Sequence, residues 1–107
     1  MLDLSIIADS YFDLKLVDGR IIYIKKLNQK QVIAMTAMDK EIAKANEKKD
    51  YEKVLMLNTE RMHMILNNNK ENIVISKEEV EELNPEMMSA IIIAYTDWMQ
   101  GINNNPN

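Results

Sequence analysis

The stretch Asn84–Gly101, NPEMMSAIIIAYTDWMQG, restricts the possible folds more than any other part of this 107-residue chain. Asn84 can cap a helix with its side chain, and Pro85 suits the first helical position, where its missing N–H costs nothing. Gly101 offers the left-handed residue that would end the helix. At about 100° per residue, Ala94, Met87, Trp98, Ile91, Tyr95, Met88, Met99 and Ile92 share one broad arc. Glu86, Asp97, Gln100, Ser89 and Thr96 lie opposite. This helix carries the only Trp and too much apolar surface to stand alone, so other elements must cover it. Its polar face has one misfit, Ile93, between Gln100 and Glu86.

The elements available to cover it read in order along the chain. Leu4, Ile6 and Ile7 suggest a short extended segment or an edge strand. Phe12, Leu14 and Leu16 alternate with Asp13 and Lys15, the period of a half-buried strand. Asp18-Gly19 is a tight-turn dipeptide, and Arg20 to Lys26 returns with Ile21, Ile22, Tyr23 and Ile24, so residues 11–27 are expected to form a β-hairpin. A two-stranded hairpin is marginal alone and needs helices behind it.

Asn28 with Gln31 forms a capping box for a helix running to about Glu47, with Ala34, Met35, Met38, Ile42 and Ala45 on one side. Ile33 falls apart from that stripe, near Lys40 and Lys44. Asn46 to Asp50 is polar enough to turn. A further helix spans about Tyr51 to Leu66, its stripe being Tyr51, Val54, Leu55, Met62, Ile65 and Leu66. Asn58 lies inside that stripe, and a buried amide left unpaired there would cost about 1–3 kcal/mol. Leu57 and Met64 fall outside it, between Lys53 and Arg61, as a small exposed apolar patch. Asn67 to Asn69 end the helix, Asn72 to Ile75 suggest a short third strand, and Ser76 with Glu79 reads as a second capping box before Val80 and Leu83.

Together these patterns give an α+β, mostly helical chain: an N-terminal β-hairpin, then about four α-helices over residues 28–101, in a single domain over 1–107. Residues 102–107 read as a disordered tail.

Composition narrows function chiefly by exclusion. With no Cys and one His, there is no thiolate nucleophile and no paired-His or sulfur metal site. His63 sits at the margin of an apolar stripe and reads as a surface residue. Glu78, Glu79, Glu81 and Glu82 lack the spacing of a cation-binding loop and read as a solvated helix face. No catalytic group, cofactor or metal is therefore expected. The net charge of −4, with no aromatic residues interleaved among Lys25, Lys26, Lys30 and Lys40, argues against nucleic-acid binding. The longest apolar run falls well short of the roughly 20 residues of a membrane span, and MLDLSIIADS lacks the positive segment of a signal peptide, so a cytoplasmic protein is expected. Nine Met against one Phe fits an AT-rich genome, which would also explain the asparagine runs; it equally fits a pliable apolar surface.

Two passages carry a resemblance. YFDLKLVDGRIIYIKKLNQKQVIAM sets a short hairpin ahead of a helix. LNNNKENIVISKEEVEELNPEMMSAIIIAYTDWMQGINNNPN then runs through an Asn triplet, a capped acidic helix, a Leu-Asn-Pro break, an apolar helix and an Asn-Pro tail. From Tyr11 to Asn107 the chain resembles the tail assembly chaperones encoded by long-tailed phages and prophages of low-GC Gram-positive bacteria. The resemblance implies a protein that binds the long, helical tape-measure protein in the host cytoplasm, keeps it soluble, and is absent from the finished virion. It also implies self-association, and brings no catalytic residues with it. The residues expected to meet a partner are those off the core stripes: Ile33, Leu57, Met64 and Ile93. The rival readings are a structural tail completion or connector subunit, and a small regulatory peptide-binding domain.

Overall fold

The structure is a computed structural model describing residues 1–104. A short helix α1 (Leu4–Ala8) precedes the strands β1 (Phe12–Lys15) and β2 (Ile21–Ile24). Four helices follow: α2 (Gln29–Glu47), α3 (Tyr51–Asn67), α4 (Lys77–Glu81) and α5 (Pro85–Asn104). The expected architecture, an N-terminal hairpin followed by helices, is the one observed.

β1 and β2 pair antiparallel, with Phe12 opposite Ile24 and Leu14 opposite Ile22. Directly opposed residues share a face, so Phe12, Leu14, Ile22 and Ile24 turn inward together, and both isoleucines are fully buried. The loop between them closes by two hydrogen bonds, from the Gly19 amide to the Leu16 carbonyl at 2.9 Å and from the Leu16 amide to the Arg20 carbonyl at 2.8 Å. Gly19 takes φ +96, which a residue with a Cβ adopts only under strain. The Arg20 amide donates to Asp18 and holds that carboxyl below its ordinary range.

α3 is the hub: α2, α4 and β2 all pack on it. Its buried residues, Met62, Ile65 and Leu66, join Ile22, Ile24, Ile75, Val80, Ile91 and Tyr95 in one continuous cluster. Each such aliphatic side chain withdrawn from water stabilises by about 1.5–3 kcal/mol before entropy is counted. α5 reaches this cluster through long side chains. Tyr95 stacks on Trp98 with centroids 5.8 Å apart, and Phe12 meets both rings at 5.6 and 5.9 Å. Tyr95 also donates from its hydroxyl to the Lys25 carbonyl at 2.8 Å, tying α5 to the end of the hairpin. Burial pushes its phenol up to about 12.

Capping follows the sequence closely. Asn28 and Gln31 form the full reciprocal box at the start of α2. Asn84 accepts from the Met87 amide at 2.8 Å at the start of α5. Ser76 accepts from the Glu79 amide at 3.1 Å, but the Glu79 carboxylate binds Arg20 across the loop, so this box is only half made.

Four sequence expectations are corrected. Residues 4–8 are helical, not extended: Asp3 accepts from the Ser5 amide and starts the turn, and α1 buries none of its side chains. Gly101 does not end α5, which continues to Asn104, because nothing forces a left-handed residue there. The expected disordered tail is thus helical over 102–104, and its remainder lies outside the described residues. Asn72 to Ile75 is not a strand, for a reason that lies in the asparagine triplet.

Each of Asn67, Asn68 and Asn69 replaces a backbone partner. The Asn69 amide group donates to the Leu66 and Ile73 carbonyls at 2.9 and 2.8 Å, while its oxygen accepts from the Ile73 amide at 2.8 Å. Asn67 does the same two residues on, donating to the carbonyls of His63 and Ile75 and accepting from the Ile75 amide. A carboxamide carries one acceptor and two donors, so each mimics a peptide unit of a neighbouring strand. The ladder groups of Ile73 and Ile75 are already used, and no strand need form. The triplet's own backbone pairs with the free edge of β2, through Lys25 to Asn68 and Lys70 to Tyr23. These asparagines are therefore structural, whatever the base composition of the gene.

Candidate partner-binding surface

The middle of α3 and the N-terminal half of α5 leave a cleft of about 210 Å³ between them. Met62 forms its fully buried floor, Met88 and Ile92 its half-buried wall. Leu55 and Ile93 stand at the rims, 52 and 62 % exposed. Large apolar side chains at two facing rims are what an amphipathic helix needs to be gripped from both sides.

Two polar groups sit in this apolar setting. Asn58, the residue that interrupts the α3 stripe, accepts from Arg61 Nη2 at 2.8 Å. Arg61 Nη1 donates in turn to Asp39 on α2, which fixes the guanidinium between the two helices. Its Nε is buried and has no hydrogen-bond partner among the described residues. An orphaned donor of this kind costs about 1–3 kcal/mol.

The four residues expected to meet a partner are not brought together. Ile93 lies on the cleft rim. Ile33 is 70 % exposed on α2 and does not line the cleft. Leu57 and Met64 do not form an exposed patch: both are half-buried. They stand four residues before and three after Arg61, so they share the face that Arg61 turns to α2. The helical wheel of α3 alone placed them outside its stripe because it could not show that α2 lies against that second face.

Leu55, Met62, Met88 and Ile92 escaped notice for the opposite reason. Their stripes read as core, and the rim positions on those stripes were not separable from the floor. The polar interruption at Asn58 was the signal available. Among the described residues, no group of three His, Cys, Asp or Glu side chains is placed to hold a metal ion, and no helix is long and apolar enough to cross a membrane. Comparison of the chain with known protein families, with characterised proteins and with solved structures finds no match.

Proposed function

We propose that this chain works by stoichiometric binding, as a phage tail assembly chaperone that holds the helical tape-measure protein in the cytoplasm until the tail tube forms. The α3–α5 cleft is the observation that carries the reading. It is lined by Met and Ile, with a large apolar residue on each rim. Flexible thioethers repack against varied apolar stripes, which suits a long client with many similar helical segments. A small cleft also keeps each contact weak enough to be reversed when tube subunits compete for the client. The resemblance of the sequence to such chaperones supports the same assignment.

The test is co-expression with a long helical protein encoded in the same gene cluster, followed by purification from the soluble fraction. A client that becomes soluble and co-purifies supports the proposal. A client that stays insoluble and unbound overturns it. Mass spectrometry of purified virions separates the structural-subunit alternative, since a chaperone is missing from the particle.

A further inference from the structure

A second concavity, sharing no lining residue with the α3–α5 cleft, opens between the hairpin loop and the α4–α5 corner, with a volume of about 400 Å³. Its floor is apolar: Leu66 and Ile75 are buried, and Leu16 and Leu83 half-buried. Val17 and Met87 stand exposed at its edge. Its mouth is acidic. Asp18, Glu79 and Glu82 line it, and the one cation among the described lining residues, Arg20, is already shared between Asp18 at 2.7 Å and Glu79 at 3.3 Å. Glu82 takes part in none of the ion pairs among the described residues.

Of the charged residues that line the concavity, three are acidic and one is basic, so its mouth carries a net negative charge. A single small molecule would meet only the mouth. A polypeptide segment can place one large apolar side chain on the floor and set lysines or arginines against Asp18, Glu79 and Glu82 at the mouth.

We propose that this concavity binds a cationic amphipathic segment of a partner protein, with an apolar side chain flanked by Lys or Arg at a spacing of three or four residues. The assignment stands on the pocket and its charge and does not depend on the chaperone reading. Desolvating the floor supplies the affinity, while the acidic rim selects the partner and speeds its approach.

The experiment uses the full chain and a labelled helical peptide of Leu and Lys, with its Leu and Glu counterpart for comparison. Binding is read by fluorescence anisotropy at about 0.15 M salt, where the screening length of about 8 Å suppresses distant attraction. The Lys peptide should bind at least about tenfold more tightly than the Glu peptide, and Glu79→Gln with Glu82→Gln should weaken it by about tenfold. Because Glu79 also holds Arg20, Glu82→Gln alone is the second variant; exposed and in no ion pair among the described residues, it leaves the fold intact and should weaken binding about threefold. Methyl resonances of Leu83 and Met87 should shift on titration of the unmodified protein. Equal binding of the two peptides, unchanged binding by Glu82→Gln, or shifts confined to Met88 and Ile92 would each overturn the proposal.

Discussion

Replacing Asn69 by alanine should cost this protein a large share of its stability. The residue is 1 % exposed and makes three hydrogen bonds, two as donor and one as acceptor, between 2.8 and 2.9 Å. A net value near 1 kcal/mol for each gives a loss of about 3 kcal/mol, since three backbone groups lose partners at once. A domain of this size has on the order of 5–15 kcal/mol in total. At roughly 4–8 °C per kcal/mol, the midpoint should fall by at least about 12 °C. Urea unfolding followed by Trp98 fluorescence and circular dichroism measures the loss. Asn69→Asp sharpens the test. A carboxylate can still accept from Ile73, but it turns a second acceptor toward the Leu66 and Ile73 carbonyls. Burial and those carbonyls raise the new group's pKa above its unfolded value. The penalty is then greatest near neutrality and eases as pH falls through the raised pKa, when a proton restores one donor. A loss below about 0.5 kcal/mol for Asn69→Ala, or no such pH trend for Asn69→Asp, would refute the reasoning.

Other substitutions test other joints of the fold. Tyr95→Phe removes the bond to the Lys25 carbonyl and should cost about 1 kcal/mol by urea unfolding. In the unmodified protein, the Tyr95 phenol sits at about 12 against an ordinary 10. Stability tied to its neutral form is complete below pH 10 and lost as pH rises through 12, which alkaline unfolding should show and Tyr95→Phe should lack. The two glycines should respond in opposite directions. Gly19→Ala meets no neighbour but holds a Cβ at φ +96, losing about 1–2 kcal/mol, whereas Gly101→Ala inside α5 gains a few tenths to about 1 kcal/mol, both read by thermal melts. Leu57→Asp with Met64→Asp places two charges in the α2–α3 seam, so helical circular dichroism should fall; retained helicity would return these residues to an exposed patch.

Much of the fold was readable because its signals are local. The Phe12–Leu14–Leu16 alternation, the Asp18-Gly19 turn and the caps at Asn28, Ser76 and Asn84 each depend on residues within four positions of one another. Several errors came where a side chain or a helix outside the segment decides. Asn72 to Ile75 has strand-forming residues, yet side chains of Asn67 and Asn69 take the bonds a strand would make. Glu79 suits a capping box, yet Arg20, far off in sequence, takes its carboxylate. The α5 helix carries the richest apolar face, but α3 is the hub, since packing depends on which helix lies between others and not on hydrophobicity alone. Of the candidate surface, Ile93 was legible as a lone apolar residue among polar ones. Leu55 and Met88 were not, because a rim and a floor share one helical stripe until the facing helix is placed.

The most direct test of the central claim is site-specific photo-crosslinking in cells that co-express the tape-measure protein. A photoreactive residue is placed at Ile93 in one variant and at Ile33 in another, both exposed positions whose replacement leaves the core untouched. Binding in the α3–α5 cleft predicts a client adduct from position 93 and none from position 33. Adducts from position 33 alone, or from neither position in a complex that still co-purifies, would show that the client is held elsewhere.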